Sequence, residues 1–301
     1  MIWITLVFFK TCKLEALTSR AFRIMSRIDI SAFVINLDRQ PERMGRFEQA
    51  VQEIGIAVER FSAVDGQDLS DINDLIHPLM HLVHEPRKFN IRAHVGCFLS
   101  HAKVWKQITQ RKAPWSLILE DDVRPTNISL GFLEAFGRAP PPFDIVRLHS
   151  NAGSQKPGRQ RETGVEIDGI KLTVDMLGAR STGAYLISCE GAQKCLAYKK
   201  MISPVDHFEW LFQQHGVVHV QTQSNIFALD EECSSSITPK RRKFRLDRPF
   251  TQLKTTAVHQ TWVRNIMRRN FAEACARVAS AQENFPNKFK VETQKHASLC
   301  D

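Results

Sequence analysis

The sequence predicts an α/β fold: one sizeable domain around a parallel sheet. Three observations carry that prediction. Strand-length apolar runs alternate with helically spaced apolar faces from residue 30 to residue 237. The first alternation, from Ile30 to Val64, has the length of a βαβ unit, roughly 30 residues. A proline-bounded run, Pro114 to Pro125, reads as an interior parallel strand ending in three consecutive carboxylates. At 301 residues and 43% hydrophobic content, the chain can bury a core of that size, with or without an appendage.

Ile30 to Leu37 reads as the first strand. Asp38-Arg39-Gln40-Pro41 turns into a helix, with Pro41 at the first helical position and Asp38 to Gln40 able to supply the cap. Met44, Phe47, Val51 and Ile54 make one apolar face, and Gly55 is a stop signal. Val58 to Val64 is the second strand, closed by Asp65-Gly66. Nucleotide-binding domains often begin this way, yet neither G-x-G-x-x-G nor G-x-x-x-x-G-K-[ST] occurs. Dinucleotide oxidoreductases and P-loop enzymes therefore lose their main signature. Arg39 and Arg43 sit at the strand-to-helix corner, as cations for a diphosphate or as solvated helix-start arginines.

Residues 67–92 read as a variable connection with a short helical piece, Asp71 to Leu82. A helix follows over 93–108, with Cys97, Val104 and Ile108 at helical spacing, as are His101 and Trp105. A single His on such a helix reads as structural, and His94 and His101 lack metal-ligand spacing. The central strand then delivers Glu120, Asp121 and Asp122. Ligands of open α/β sheets bind outside the carboxyl ends of strands. Alternation predicts Glu120 and Asp122 on one face and Asp121 on the other. Such a pair suits Mg²⁺ or Mn²⁺ held jointly with phosphate oxygens; the plainer alternative is an acidic turn closed by Pro125.

Phe143 to Leu148 is another strand, and residues 150–170, rich in Gly, Ser, Gln and Arg, read as a mobile loop of lid length. Thr182 to Ser188 is a strand, and Ser188 caps a helix expected to reach Met201. Ser203-Pro204-Val205-Asp206-His207 opens a helix to Gln214 that stops at Gly216, before a strand from Val217 to Val220. Ser234 to Ile237 closes the regular domain.

The expected organisation is a non-core extension over 1–25, a domain over 26–238 and a basic, mainly helical extension over 239–301. Met1 to Phe9 is apolar but far short of the roughly 20 residues a bilayer span takes, and it lacks the basic region and cleavage site of a signal peptide. Translation starting at Met25 would make residues 1–24 dispensable. Seven cysteines, an odd number with no C-x-x-C pair, point away from a disulfide framework and toward a reducing compartment. The net charge of +9 is concentrated: residues 240–269 hold ten Lys and Arg against Asp247 alone. That segment calls for an anionic partner. The expected helix from Leu253 to Asn284 carries Trp262, Ile266 and Met267 among basic residues, so it suits a membrane surface or its own domain. Nucleic acid is not an expected partner, for want of a stacking module or recognition-helix signature.

With these residues laid out, the sequence resembles glycosyltransferase family 25, whose bacterial members build lipopolysaccharide or lipooligosaccharide. Four stretches carry the resemblance, in order: Phe33 to Arg43 with Ala63-Val64-Asp65-Gly66; Gly96 to His101; Leu117 to Val123; and Gly183 to Ser188 followed by Pro204-Val205-Asp206. The resemblance implies a GT-A type, Rossmann-like nucleotide-sugar-binding domain. It implies a UDP-sugar donor, galactose or a related hexose, and a glycan or lipid-linked saccharide acceptor. It also places Glu120-Asp121-Asp122 where such enzymes keep a D-x-D motif, with Glu in place of the first Asp. Glu120 and Asp122 are then the expected ligands of a divalent cation, Mn²⁺ or Mg²⁺. Asp121, Asn36, Arg39, Arg43 and Asp65 are the expected contacts to the donor. An inverting displacement needs a base that is not a metal ligand. Asp206 is the candidate, with an N-cap role as its alternative and His207 and Glu209 as neighbours able to replace it. The expected location is cytoplasmic, peripheral at the inner face of the cytoplasmic membrane. A nucleotide-sugar-binding protein without catalysis is the rival reading, and a nucleic-acid binder acting through the basic tail is a lesser one.

Overall fold

The computed structural model describes residues 30–78, 80, 90–151, 158–178, 180–230, 232–233 and 250–284. The expected opening unit is present: β1 (Ile30–Asn36), α1 (Pro41–Gln52) and β2 (Glu59–Ser62), with β1 and β2 parallel. Pro41 takes the first turn of α1, Met44, Phe47 and Val51 form its buried face, and Gly55 adopts φ +68° just past its end. The cap differs from expectation, because Gln40 makes no side-chain capping bond. Asp38 instead accepts from Arg60 Nη2 at 2.5 Å and Ser62 Oγ at 2.7 Å, so it ties the turn to β2.

Of the expected helical piece from Asp71 to Leu82, the described part holds a 3₁₀ turn, Asn73–Leu75, and one helical residue, Met80. Next come α2 (Ile91–Arg111), β3 (Trp115–Glu120), β4 (Val123–Pro125) and α3 (Ser129–Arg138). They are followed by β5 (Ile145–Arg147), β6 (Gln160–Ile167), β7 (Ile170–Asp175) and β8 (Ala184–Ser188). The chain continues through α4 (Cys189–Leu196), α5 (Phe208–His215), β9 (His219–Thr222), β10 (Phe227–Leu229) and α6 (Phe250–Asn284).

Among the described residues the main sheet has eight strands in the order β2-β1-β3-β8-β5-β9-β7-β6, and β4 pairs with β10 apart from it. β3 is interior, as expected, but the sheet is mixed: β3 is parallel to β1 and antiparallel to β8. Only β7 and β8 run against the other six strands. β7 must reverse, because two residues join it to β6 and a parallel return needs a crossover of about a dozen.

That hairpin corrects the expected mobile loop over 150–170. Asp168 (φ +51°) and Gly169 (φ +75°) form its turn, the left-handed pair that a tight hairpin demands. Thr163, Val165 and Ile167 face inward, whereas Glu162 and Glu166 face out and supply the polar composition. Residues 152–157 of the stretch lie outside the described residues. Ser188 caps α4 as expected, accepting from the Gly191 amide at 2.9 Å, but the helix ends at Leu196 rather than Met201.

Strand alternation sends side chains to two cores. Ala32, Val34, Leu117, Leu119 and Leu186 pack with α1, α3 and α6, whereas Phe33, Ile35, Ile118, Tyr185 and Ile187 pack with α2, α4 and α5. The C-terminal helix α6 buries Val263, Ile266, Met267, Ala274 and Val278 against the domain. Its Asn270 accepts from the His219 amide and donates to the His219 carbonyl, which pins the helix to β9. The expected non-core segment 1–25, the closure at 234–237 and the basic residues 240–248 lie outside the described residues. Among the described residues, no helix is long and apolar enough to cross a membrane.

Candidate active site

Because β1, β2 and β3 run the same way, their carboxyl ends meet at one edge of the sheet. Antiparallel β8 brings its amino end there too, since Leu119 is paired with Ala184. A cavity of about 160 Å³ opens at this edge. Its wall includes Arg39 and Arg43 from the β1–α1 corner, Asp65 and Gly66 after β2, Cys97 and His101 from α2, and Glu120, Asp121 and Asp122.

The acidic triplet is held by three different devices. Glu120 accepts from Thr182 Oγ1 at 2.5 Å and lies 3.4 Å from His101 Nε2. Burial works against its charge, but His101, Thr182 and Arg43 hold its carboxyl below the usual range. Asp121 accepts from Asn36 Nδ2 at 2.7 Å and from Arg43 Nη2. Asp122 Oδ2 is 3.2 Å from Arg43 Nη2, while its Oδ1 is buried without a hydrogen-bond partner among the described residues. Burial and the Glu120 and Asp121 charges push the Asp122 carboxyl up to about 7, against the pull of Arg43. The expected sharing of one face by Glu120 and Asp122 is modified, since β3 stops at Glu120 and strict alternation stops with it. Asp121 and Asp122 both meet Arg43, while Glu120 turns to His101 and Thr182.

A hard divalent cation fits this donor set. The orphaned Asp122 Oδ1 is an acceptor lacking a positive partner among the described residues, and Glu120, two residues before it in sequence, lines the same cavity. The other expected donor contacts divide. Arg39 and Asp65 are hydrogen-bonded to each other on the cavity wall, and the Arg39 bond holds the Asp65 carboxyl below its usual range. Asn36 does not line the cavity. It is 1% exposed and fully used, donating to Asp121 and to the Gln40 carbonyl and accepting from Arg60 Nε at 3.0 Å. It therefore orients Asp121 from behind.

Asp206 is within reach of the Glu120 charge but outside the cavity wall. It is not an N-cap, because that position before α5 is His207, which makes no side-chain capping bond. Desolvation and the Glu209 and Glu120 charges, opposed by Arg180, push its carboxyl up to about 6. Its two neighbours are otherwise engaged. Glu209 is fully buried against Arg180 Nη1 at 2.8 and 2.9 Å, and His207 Nδ1 is 2.8 Å from Ser203 Oγ.

Sequence reasoning missed three contributors. His101, read from the sequence as structural rather than catalytic, touches Glu120, and so does Thr182. Ser100 receives the Val64 amide at 2.8 Å and so holds the loop carrying Asp65. The available signal was the four-residue spacing of Cys97 and His101, which puts both on one helix face.

Comparison of the sequence with known proteins gives a family match. The family model described as glycosyltransferase family 25 (LPS biosynthesis protein) matches residues 29–209, more than half of the chain. A glycosyltransferase 25 family member of Drosophila melanogaster is 33% identical over 199 residues, covering 61% of this chain and 31% of the relative. Procollagen galactosyltransferase 2 of Homo sapiens is 29% identical over 197 residues, covering 62% and 30%. The inactive glycosyltransferase 25 family member 3 of Homo sapiens is 32% identical over 194 residues, covering 61% and 32%. The chain thus spans about a third of the length of the curated relatives it matches.

Proposed function

The chain belongs to glycosyltransferase family 25, and on that premise we propose that it is an active hexosyltransferase of GT-A type. In this reading it moves galactose from UDP-galactose, with inversion, to a lipopolysaccharide-type glycan or lipid-linked saccharide. One observation carries the proposal: the cavity joins two arginines, Arg39 and Arg43, to a carboxylate pair, Glu120 and Asp122, one of whose oxygens is buried and unpartnered. A diphosphate needs the first, and a cation bridging protein to diphosphate needs the second.

The residues divide the work. Arg39 meets the diphosphate at the mouth of the cavity, where its side chain is 46% exposed. Arg43 and Asn36 keep Asp121 and Asp122 oriented. Glu120 and Asp122 would hold Mn²⁺ or Mg²⁺, which supplies Lewis-acid charge to the departing UDP. Asp206 takes the proton of the acceptor hydroxyl; a carboxyl raised to about 6 suits a base working near neutral pH. The basic segment 240–269 brings the enzyme to an anionic acceptor surface, the inner face of the cytoplasmic membrane.

The test is a donor screen that reads UDP release from several UDP-sugars, with and without Mn²⁺ and an acceptor glycan. UDP-galactose turnover that EDTA abolishes is expected. UDP binding with no turnover on any donor would instead put this chain with the relative named inactive.

A further inference from the structure

The cavity wall carries a second constellation that the transferase reading leaves unused. Cys97 and His101 are four residues apart on α2 and share a face. Cys97 Sγ, a His101 ring nitrogen and a Glu120 carboxylate oxygen all lie within 4.8 Å of one another. Nε2 is the nitrogen toward Glu120, because Nδ1 is 2.8 Å from the Tyr185 hydroxyl, which also receives Trp105 Nε1 at 2.9 Å.

We propose that Cys97, His101 and Glu120 form a binding site for a borderline-soft divalent metal of the zinc class, on the inner wall of the cavity. Thiolate, imidazole and carboxylate together are a zinc set, whereas Mn²⁺ and Mg²⁺ prefer oxygen alone. Three protein ligands leave a coordination position open, and it faces the cavity, since all three residues line it. The ring of His101 is already oriented by Tyr185 and Trp105, as a metal-bound imidazole requires. On binding, the Cys97 S–H bond breaks, its proton goes to solvent, and the sulfur lone pair forms the metal bond. A buried His–Tyr–Trp chain alone accounts for His101 but not for a cysteine beside it on the cavity wall.

Glu120 belongs both to this set and to the pair with Asp122. Zinc therefore withdraws a carboxylate from the hard-cation site, and the two metals compete.

The test uses the full chain, stripped of metal, with Co²⁺ as the zinc surrogate and no nucleotide present. The expected result is a thiolate-to-cobalt charge-transfer band that saturates at one equivalent and is bleached by Zn²⁺. Cys97→Ser loses the band and weakens Zn²⁺ binding by about tenfold or more. As a measurement that needs no variant, iodoacetamide labelling of Cys97 is mapped by peptide mass, and Zn²⁺ but not Mg²⁺ slows it. Absence of the band, its persistence in Cys97→Ser, or labelling indifferent to Zn²⁺ would overturn the site. These readouts need no turnover: a failed donor screen with an intact cobalt spectrum sinks the transferase reading alone, and the converse sinks the zinc site alone.

Discussion

Arg43, on α1, lies 3.2 Å through its Nη2 from Asp122 Oδ2, in the turn after β3. The same nitrogen hydrogen-bonds Asp121, so one guanidinium, 11% exposed, holds two adjacent carboxylates. Removing it leaves two largely buried negative charges uncompensated, a change that costs about 3–5 kcal/mol when a buried pair is broken. Arg43→Gln is therefore expected to lower the denaturation midpoint and weaken UDP binding by calorimetry. Arg43→Lys should restore part of the loss, because both carboxylates meet the one nitrogen Nη2 and an ammonium keeps a charged donor there, while the Nη1 bond to Gln40 is lost. An unchanged midpoint in Arg43→Gln would rule out this pinning role.

Asp122 is expected to behave oppositely. Its Oδ1 is buried and unpartnered, beside two other carboxylates. Asp122→Asn removes that repulsion, so the metal-free protein should be at least as stable as the parent. Catalysis should fall by about a hundredfold or more, the scale seen when one electrostatic stabiliser is lost. Activity of Asp122→Asn and Asp122→Ala, read beside thermal melts, separates the two effects; full activity in both would remove Asp122 from the cation site.

Asp230 provides a pH signature away from the cavity. The hydrogen bond from Arg124 Nη2 at 2.9 Å leads in holding its carboxyl down to about 2, and the Cys233 thiol and Glu232 amide add to it. Its own amide donates to the Asp122 carbonyl at 2.7 Å, so the contact braces the acidic turn. A depressed carboxylate stabilises the fold fully above its unfolded value near 4, and that contribution disappears as pH falls through about 2. Arg124 is 38% exposed, which screens the pair, so the contribution is on the order of 1 kcal/mol. Asp230→Asn should lower stability at pH 7 and flatten the acid limb of a stability-versus-pH curve; parallel curves for parent and variant would refute the linkage.

Two glycines give a paired test of the loop that carries Asp65. A Cβ on Gly96 would stand 2.6 Å from the Val64 carbonyl oxygen and 2.7 Å from the Gly66 amide, both backbone atoms that cannot swing aside. Gly96→Ala is expected to cost about 1–3 kcal/mol and to weaken UDP binding by shifting Asp65. Gly45, exposed within α1, has nothing within 4 Å of such a Cβ, so Gly45→Ala should gain about 0.5–1 kcal/mol and leave binding alone. Urea melts of both variants check the contrast.

The sequence showed elements that carry their own period, and it showed the site wherever one motif holds it. β1, α1 and β3 announce themselves by apolar spacing and proline boundaries, and Glu120 to Asp122 follow from the end of β3. His101 and Thr182 did not announce themselves. Thr182 reaches Glu120 only because β8 pairs antiparallel with β3, Leu119 against Ala184, a register set by tertiary packing. The β6–β7 hairpin did carry its Asp168-Gly169 signal, but the outward glutamates gave the stretch the composition of a loop. The Glu120 and Asp122 alternation held only in part for a local reason: the strand ends at Glu120, and a turn has no period of two.

Asp206 and Glu209 decide where the acceptor proton goes. They lie three residues apart with opposite environments: Glu209 is fully buried and bidentate to Arg180, whereas the Asp206 side chain keeps 29% of its surface exposed. A carboxylate locked in a buried ion pair cannot also accept a substrate proton without breaking that pair. Glu209→Gln should therefore strip Arg180 of its partner and lower the denaturation midpoint, with any activity loss tracking the loss of fold. Asp206→Asn should leave the midpoint and UDP affinity close to the parent while lowering kcat by about 10²–10⁴-fold, the range attributed to general-base catalysis. The parent's kcat should fall as pH drops through about 6, as the Asp206 carboxylate takes up its proton. A parent-like kcat in Asp206→Asn, or the same acid limb persisting there, would move the base to another residue.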